Sequence, residues 1–325
     1  MKAATVRRYG GPEVVRIEDL PLPVAGQGEV RVRVTAAGVT AADARLRAND
    51  APRGFGFLMR CFTGFVRPRH PVSGMEFAGV VDALGTGVSC WRLGQRVFGV
   101  TGLQGGAHAE HLTIGSEARL FALPDTLTDT QGAAFFFGGL TAADFLIDKA
   151  DIRPGESLLI NGATGSVGSA AVQIGRHLGA KVTAVTRAEN HGLARDLGAT
   201  DTIDYRAGPI RGTWDVILDV VGNLPYPQAA SLLAPRGRLL PVTATLAQQL
   251  SYVLHARRGL HRVTGGMIGD GRTAMERLIR LHGAAAGAYR PTVGDVLPFA
   301  QIAAAHALAG SRHKRGNTVV LLTPP

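Results

Sequence analysis

The stretch Asn161-Gly162-Ala163-Thr164-Gly165-Ser166-Val167-Gly168 follows the apolar run Leu158-Leu159-Ile160. Small residues at those offsets leave backbone N–H groups bare at the start of a helix. That is how a pyrophosphate is held: glycine lets the backbone approach without a Cβ, and the helix N-terminus supplies unpaired donors. The pattern G-x-G-x-x-G is matched here by Ala163, Gly165 and Gly168. Ala163 stands in place of the first glycine, and an extra Gly162 comes just before it. The candidate cofactor contacts are therefore Ala163, Thr164, Gly165, Ser166, Val167 and Gly168.

Such a loop functions only if a buried strand delivers it and a helix leaves it. Val167, Ala171, Val172, Ile174, Gly175 and Leu178 recur at helical spacing, Gly179 suits the C-cap, and Lys181-Val182-Thr183-Ala184-Val185 reads as a second buried strand. This makes a βαβ unit of about 30 residues. The alternation continues through a helix over 192–197, strands at Asp201–Asp204 and 214–221, and a strand over 238–242 that ends at Val242. Just after the second strand stand Thr186-Arg187. An acid there would accept hydrogen bonds from the ribose hydroxyls of NAD and repel a 2′-phosphate. The arginine instead offers a planar, permanently charged fork suited to phosphate. With Tyr205 placed to pack beside an adenosine, the reading is an NADPH site that also includes Thr186, Arg187, Tyr205 and Val242.

The chain has 325 residues, 46% hydrophobic and 18% charged, enough for about two domains with full cores. No apolar run approaches the roughly 18 residues of a membrane span. Met1–Arg8 leads directly into a charged, strand-like segment without signal-peptide features, so cytoplasmic residence is expected. Two distant cysteines, Cys61 and Cys90, imply no disulfide framework. The formal charge of +10 is spread along the chain. Its local clusters, Arg257-Arg258 and Arg312-His313-Lys314-Arg315, read as solvated faces, and no specific nucleic-acid partner is expected.

The first part of the chain has a different texture. Ala3–Val6, 14–17, 29–34, 77–85, 95–99 and 107–112 read as short antiparallel strands punctuated by glycine and proline. The motifs Ala36-Ala37-Gly38-Val39, Ser73-Gly74-Met75-Glu76-Phe77-Ala78-Gly79, Leu93-Gly94-Gln95-Arg96-Val97-Phe98-Gly99, Gly106-Ala107-His108-Ala109-Glu110-His111 and Gly139-Leu140-Thr141-Ala142 stand in sequence. Leu197-Gly198-Ala199-Thr200-Asp201 and the closing Lys314-Arg315-Gly316-Asn317-Thr318-Val319-Val320-Leu321 complete the set. In order and spacing this set resembles the medium-chain dehydrogenase/reductase superfamily. Within it, the chain looks most like the zinc-independent quinone oxidoreductase and enoyl-reductase branch.

That resemblance implies an α/β chain with two domains. A GroES-like β domain would comprise residues 1–121 and 261–325, and a doubly wound parallel-sheet Rossmann domain residues 122–260, with the cofactor in the cleft between them. Thr141 matches a cofactor-contacting position of the family, and Met267-Ile268-Gly269 would contact the nicotinamide end. The segment 284–291 and Ile302–His306 resemble the closing strand and helix, with His306 structural. Phe135-Phe136-Phe137 would start a helix linking the domains. Pairing of Rossmann sheet edges would give a homodimer.

Zinc-dependent relatives carry cysteine where this chain has Thr40 and histidine where it has Met75. Neither replacement suits a tetrahedral N/S site, and one carboxylate, Glu76, is not a site. His108 and His111 read as strand or loop histidines on an exposed face. No metal is expected, and with no Lewis acid for an alkoxide, alcohol oxidation loses its usual support. Hydride transfer to a quinone or an α,β-unsaturated carbonyl asks only for positioning and hydrogen-bond donors. The segment after Gly38 supplies the candidate catalytic residues: Thr40, where the branch usually has asparagine, and Asp43 and Arg47, which match its pattern. For Asp43, tying down a loop through backbone N–H groups is an equal alternative. The aromatic insertion between Ala48 and His70 would roof a pocket for a bulky hydrophobic substrate, or form a short helix on the core or at a subunit contact; the partner expected is a small hydrophobic electrophile. No membrane partner is expected. The competing reading is a non-catalytic NADPH-binding protein of crystallin-like, nucleic-acid-associated or membrane-associated type.

Overall fold

The alternation that begins at Glu29 runs further than the sequence suggests. In the computed structural model, which describes residues 1–51, 53–256, 261–266, 271–284, 287–311 and 314–322, that strand continues to Val39. Strands β1 (Lys2–Val6), β2 (Val15–Asp19), β3 (Glu29–Val39), β4 (Glu76–Leu84), β5 (Arg96–Val100), β6 (His111–Gly115) and β7 (Leu120–Ala122) lie in a first unit. The chain then forms β8 (Ser157–Asn161), β9 (Lys181–Thr186), β10 (Asp201–Asp204), β11 (Trp214–Asp219), β12 (Leu233–Pro241) and β13 (Arg262–Val263) in a second unit. It returns to the first unit as β14 (Val293–Pro298) and β15 (Asn317–Leu321).

In the first unit β1 pairs with β2, and a larger sheet runs β14-β15-β3-β4-β5-β7 with β6 also on β3. Among the described residues of this sheet, only β14 and β15 pair in parallel. Val30, Val32 and Val34 point every second residue into the core beside Phe77, Val97, Leu120 and Val320, and all are fully buried. Each buried aliphatic side chain of this kind contributes roughly 1.5–3 kcal/mol. The β character of this unit is as expected, with two local corrections. The strand expected over 107–112 begins only at His111, because His108 and Ala109 turn to meet β1: the His108 carbonyl accepts from Ala4 N–H and Ala109 bridges Ala3. His108, expected on an exposed face, is consequently fully buried. Of the closing strand expected over 284–291, residues 285–286 lie outside the described residues; the strand formed is Val293–Pro298, and Gly287 at φ +59° is not extended.

The second unit is a parallel sheet in the order β10-β9-β8-β11-β12-β13. Leu158, Leu159 and Ile160 in β8 are fully buried, which is why this strand reads as continuous apolar sequence and not as alternation. The helix Ser166–His177 carries the chain from β8 to β9, and Gly179 closes it at φ +81°. The order reverses direction between β8 and β11. In open α/β sheets the crevice at the carboxyl ends of such strands is where ligands bind.

The units divide the chain at Phe137/Gly138 and Arg290/Pro291, not at 121/122 and 260/261 as expected, and Pro52–Phe55 joins the second. The first shift arises because Asp129 is held by Arg96 (2.7 Å) and by the Thr35 hydroxyl (2.7 Å). The second arises because β13 pairs with β12, and Arg277, on the helix Arg272–Gly283, meets Asp148 at 2.6 Å through two N–H groups.

Candidate functional site

The glycine-rich loop leaves β8 at Asn161. Gly162 turns the chain at φ +88°, a conformation L side chains rarely adopt, and a Cβ there would lie 2.8 Å from Val221 Cγ2. A Cβ on Gly168 would sit 2.1 Å from the Gly162 carbonyl oxygen, so the helix packs on the loop only because this residue has none. Gly165 faces open space, with nothing nearer than 3.8 Å to a built Cβ. It is the N-cap of the helix Ser166–His177 and brings no side-chain cap of its own. Gly162 thus occupies the tight-turn position. Ala163 is fully buried, its N–H bonded to the Val185 carbonyl at 3.2 Å. The arrangement sets a helix N-terminus against a loop with little side chain in the way, the geometry that phosphate binding uses.

The ends of β8 and β11 are tied across the switch point. Asn161 Nδ2 donates to Asp219 Oδ1 at 2.8 Å and to Asn223 Oδ1 at 2.7 Å. Asp219 also accepts from the N–H groups of Gly222 and Leu224, each at 3.0 Å, which shapes the loop after β11. Burial pushes its carboxyl pKa up despite these donors. Sequence reasoning missed Asp219. The signal was an acid at the end of an otherwise apolar strand, where burial obliges a carboxylate to find donors.

At the end of β9 the Thr186 and Thr164 hydroxyls are 2.8 Å apart, both residues buried. Arg187 meets Glu189 at 3.0 Å, and Arg206 meets the other oxygen of the same carboxylate at 3.1 Å. Tyr205 is half exposed nearby in sequence. Val242, beyond β12, donates its N–H to the Asp219 carbonyl at 3.0 Å. Ser166 and Val167 are buried in the first turn of the cradle helix. Gly138 packs so closely on Ser166 that a Cβ would lie 2.5 Å from its carbonyl oxygen; Thr141, one turn further along Phe136–Ala143, is buried. Met267-Ile268-Gly269, Arg257-Arg258 and Arg312-His313 lie outside the described residues.

The first unit holds a pocket of about 540 Å³, its open mouth included. Asp43, Leu46 and Arg47, one face of the helix Ala41–Ala48, form a wall, and Met75, Ser73 and Leu103 are among the residues facing it. Thr40 is not part of the lining. It is the N-cap of that helix: its hydroxyl donates to Asp43 Oδ2 (2.6 Å) and accepts from Asp43 N–H (3.2 Å), while Thr40 N–H donates to the same carboxylate (2.8 Å). Thr40 and Asp43 therefore form a reciprocal capping box, the loop-tying alternative for Asp43. Arg47 donates to the carbonyls of Gly10 (3.2 Å) and His306 (3.4 Å). Gly38 carbonyl, 2.9 Å from His108 Nε2, fixes the proton there, so Nδ1 accepts from the Ser73 hydroxyl at 3.0 Å.

Behind Gly38 lies Glu76, fully buried. Its Oε2 accepts from the N–H groups of Phe136 (3.1 Å) and Phe137 (3.0 Å), and burial pushes its pKa up to about 8. Lys314, whose Nζ is buried, has its pKa lowered by that burial against the opposing pull of Asp43 and Glu76. Thr40, Met75 and Glu76 present a hydroxyl engaged in capping, a thioether and a buried carboxyl whose pKa is raised. These do not fit zinc, and among the described residues no three His, Cys, Asp or Glu side chains are grouped to hold a metal ion.

Two families match the chain: "Alcohol dehydrogenase GroES-like domain" over residues 26–127 and "Zinc-binding dehydrogenase" over 197–320. The quinone oxidoreductase of Sus scrofa is 30% identical over 99% of this chain and 98% of its own length. The quinone oxidoreductase of Thermus thermophilus, solved alone and with NADPH, superposes at TM-score 0.77 with 31% identity, covering 99% of this chain and all of the other. The quinone oxidoreductase of Coxiella burnetii shares the fold at TM-score 0.86 and 23% identity, with 99% of each chain covered.

Proposed function

This chain belongs to the medium-chain dehydrogenase/reductase superfamily, in its quinone oxidoreductase branch, and from that premise we propose that it is a metal-independent, NADPH-dependent reductase of quinones or α,β-unsaturated carbonyls. The observation that carries the proposal is the pairing of an uncapped glycine cradle with a second-strand end that bears arginine where an acid would select NAD. When bound, NADPH supplies a hydride from its nicotinamide ring.

The chain's own residues bind and orient. The first helical turn, at Ser166 and Val167, turns its backbone N–H groups toward the pyrophosphate, and the Thr164–Thr186 hydroxyl pair fixes the loop beside them. Arg187 takes the 2′-phosphate, with Glu189 released to Arg206. Gly138 allows the helix bearing Thr141 to close on Ser166. In the first unit, Val6, Leu46, Met75 and Leu103 give the pocket an apolar lining suited to a hydrophobic acceptor.

Hydride addition to an electron-poor carbon leaves negative charge on the conjugated oxygen. Arg47 is the group placed to meet it: its guanidinium is held by two carbonyls and has N–H groups beyond those two bonds. Thr40, its hydroxyl engaged with Asp43, serves the site by capping the helix that carries Arg47. The absence of a suitable donor set at Thr40, Met75 and Glu76 supports chemistry without zinc.

Purified protein mixed with NADPH and 9,10-phenanthrenequinone, or with a 2-alkenal, should consume NADPH as followed by nicotinamide absorbance. Arg47→Met should lower kcat, with the KM for NADPH little changed. Tight NADPH binding without reduction of any acceptor in a broad panel would overturn the enzyme reading and leave a nucleotide-binding protein.

A further inference from the structure

From Ala51 to Met75 the sequence contains no acidic residue, yet it carries Arg53, Arg60, Arg67, Arg69 and His70 among large apolar side chains. The helix Gly56–Thr63 within it buries none of its side chains. Phe57 is 74% exposed, Leu58 54%, Phe65 52% and Val66 88%, with the two phenylalanine rings edge to face at 5.9 Å. The segment is nonetheless held in place. Tyr9 Oη donates to the Gly64 carbonyl at 2.8 Å, and Arg69 N–H bonds the Thr63 carbonyl at 2.9 Å. Elsewhere in the same segment, Phe62, Thr63, Pro68 and His70 line the pocket.

We propose that this patch docks the first unit onto the surface of a bilayer containing anionic phospholipid. Phe57, Leu58, Phe65 and Val66 would enter the boundary between headgroups and acyl chains, and Arg60, Arg67 and Arg69 would meet the phosphates. Interleaved aromatic, aliphatic and basic side chains without a single acid are the composition an anionic interface selects. The other occupants fit less well. A pocket lid would turn its apolar groups inward, whereas these point out while their neighbours already line the wall. A two-fold contact with a second copy would set this patch against itself, arginines facing arginines with no local acid to pair them. A nucleic acid would satisfy the charge but leave Leu58 and Val66 unused. The docking does not depend on the reductase reading. Where that reading also holds, the pocket wall shares a segment with the membrane patch, and the acceptor class becomes lipophilic quinones or enones drawn from the bilayer.

The test is co-sedimentation of the full chain with vesicles of phosphatidylcholine alone, or of phosphatidylcholine mixed with phosphatidylglycerol. The protein should pellet with the mixed vesicles only. A Phe57→Ser/Phe65→Ser/Val66→Ser variant should partition about tenfold less at the same ionic strength, since burial of those side chains is lost. An Arg60→Gln/Arg67→Gln/Arg69→Gln variant should bind less and show a flatter salt dependence. NADPH affinity and thermal midpoint, unchanged in both variants, confirm that each is folded. The proposal fails if the protein ignores mixed vesicles, or if the serine variant binds as well as the parent, which would leave only attraction of a +10 protein for any polyanion. It fails equally if the serine variant changes the oligomeric mass in light scattering without altering vesicle binding.

Discussion

Arg187 and Arg206 share one carboxylate, Glu189, at 3.0 and 3.1 Å. If a 2′-phosphate is to take Arg187, Glu189 is at once a competitor for the guanidinium and a like charge beside the ligand. Glu189→Gln should therefore tighten NADPH binding. The carboxylate is nearly half exposed, so screening limits the gain to roughly threefold, measured as Kd by fluorescence titration. Arg187→Glu should do the opposite and shift preference toward NADH; retention of NADPH preference would count against the assignment. Glu76 makes a prediction in pH. Its folded pKa, pushed to about 8 chiefly by burial, lies above that of an exposed glutamate. The folded state therefore keeps a proton that the unfolded state has released, and stability falls as pH rises from the ordinary carboxylate range toward 8. In that window the slope is up to about 1.4 kcal/mol per pH unit. Glu76→Gln should flatten the dependence of Tm on pH over that range. An unchanged slope would mean that the carboxyl is ionised in the fold.

At the scale of elements, the glycine cradle was legible in sequence because every part of it is local: strand, turn and helix are contiguous, and β8 through β11 fall close to their expected positions. The role of Thr40 was not legible. Resemblance assigned its position to the chemistry, but its hydroxyl is used by Asp43 three residues on, an interaction that depends on where the helix begins. Asp219 was missed, and the buried setting of Glu76 was not foreseen, because their donors lie 3–5 and about 60 residues away and are brought in only by the sheet and the helix start at Phe136. The cap is testable. Thr40→Ala should cost about 1 kcal/mol, read as a lower Tm, whereas Thr40→Ser should restore most of it. A Thr40→Ser variant with the parent's Tm but without its kcat would show that the threonine does more than cap. Gly168→Ala places a Cβ 2.1 Å from the Gly162 oxygen, so the helix must move off the loop. The expected result is a loss of about 1–3 kcal/mol and a disproportionate loss of NADPH affinity.

For the molecule as a whole, composition predicted the charge but not its arrangement. Of the 35 basic residues, 31 are arginine, so the net charge of +10 persists well above neutral pH. Several arginines are nonetheless committed to structure: Arg31 to Asp82, Arg96 to Asp129, Arg238 to Glu156 and Arg277 to Asp148. The remaining surplus, concentrated in part between residues 51 and 75, gives the protein a positive field that draws an anionic dinucleotide from a distance. Association with NADPH should therefore slow as salt rises from about 20 to about 500 mM, as the Debye length shrinks from tens to a few ångströms. If the cradle and Arg187 hold the ligand as proposed, the dissociation rate should change far less. The KM for an uncharged quinone should stay nearly constant across the same series, so any common effect on folding would be visible. Stopped-flow fluorescence on the parent and on Arg187→Ala separates the sources. The variant should dissociate faster at every salt concentration yet keep most of the parent's salt dependence of the on-rate, because the field belongs to the whole chain and the phosphate contact to one side chain.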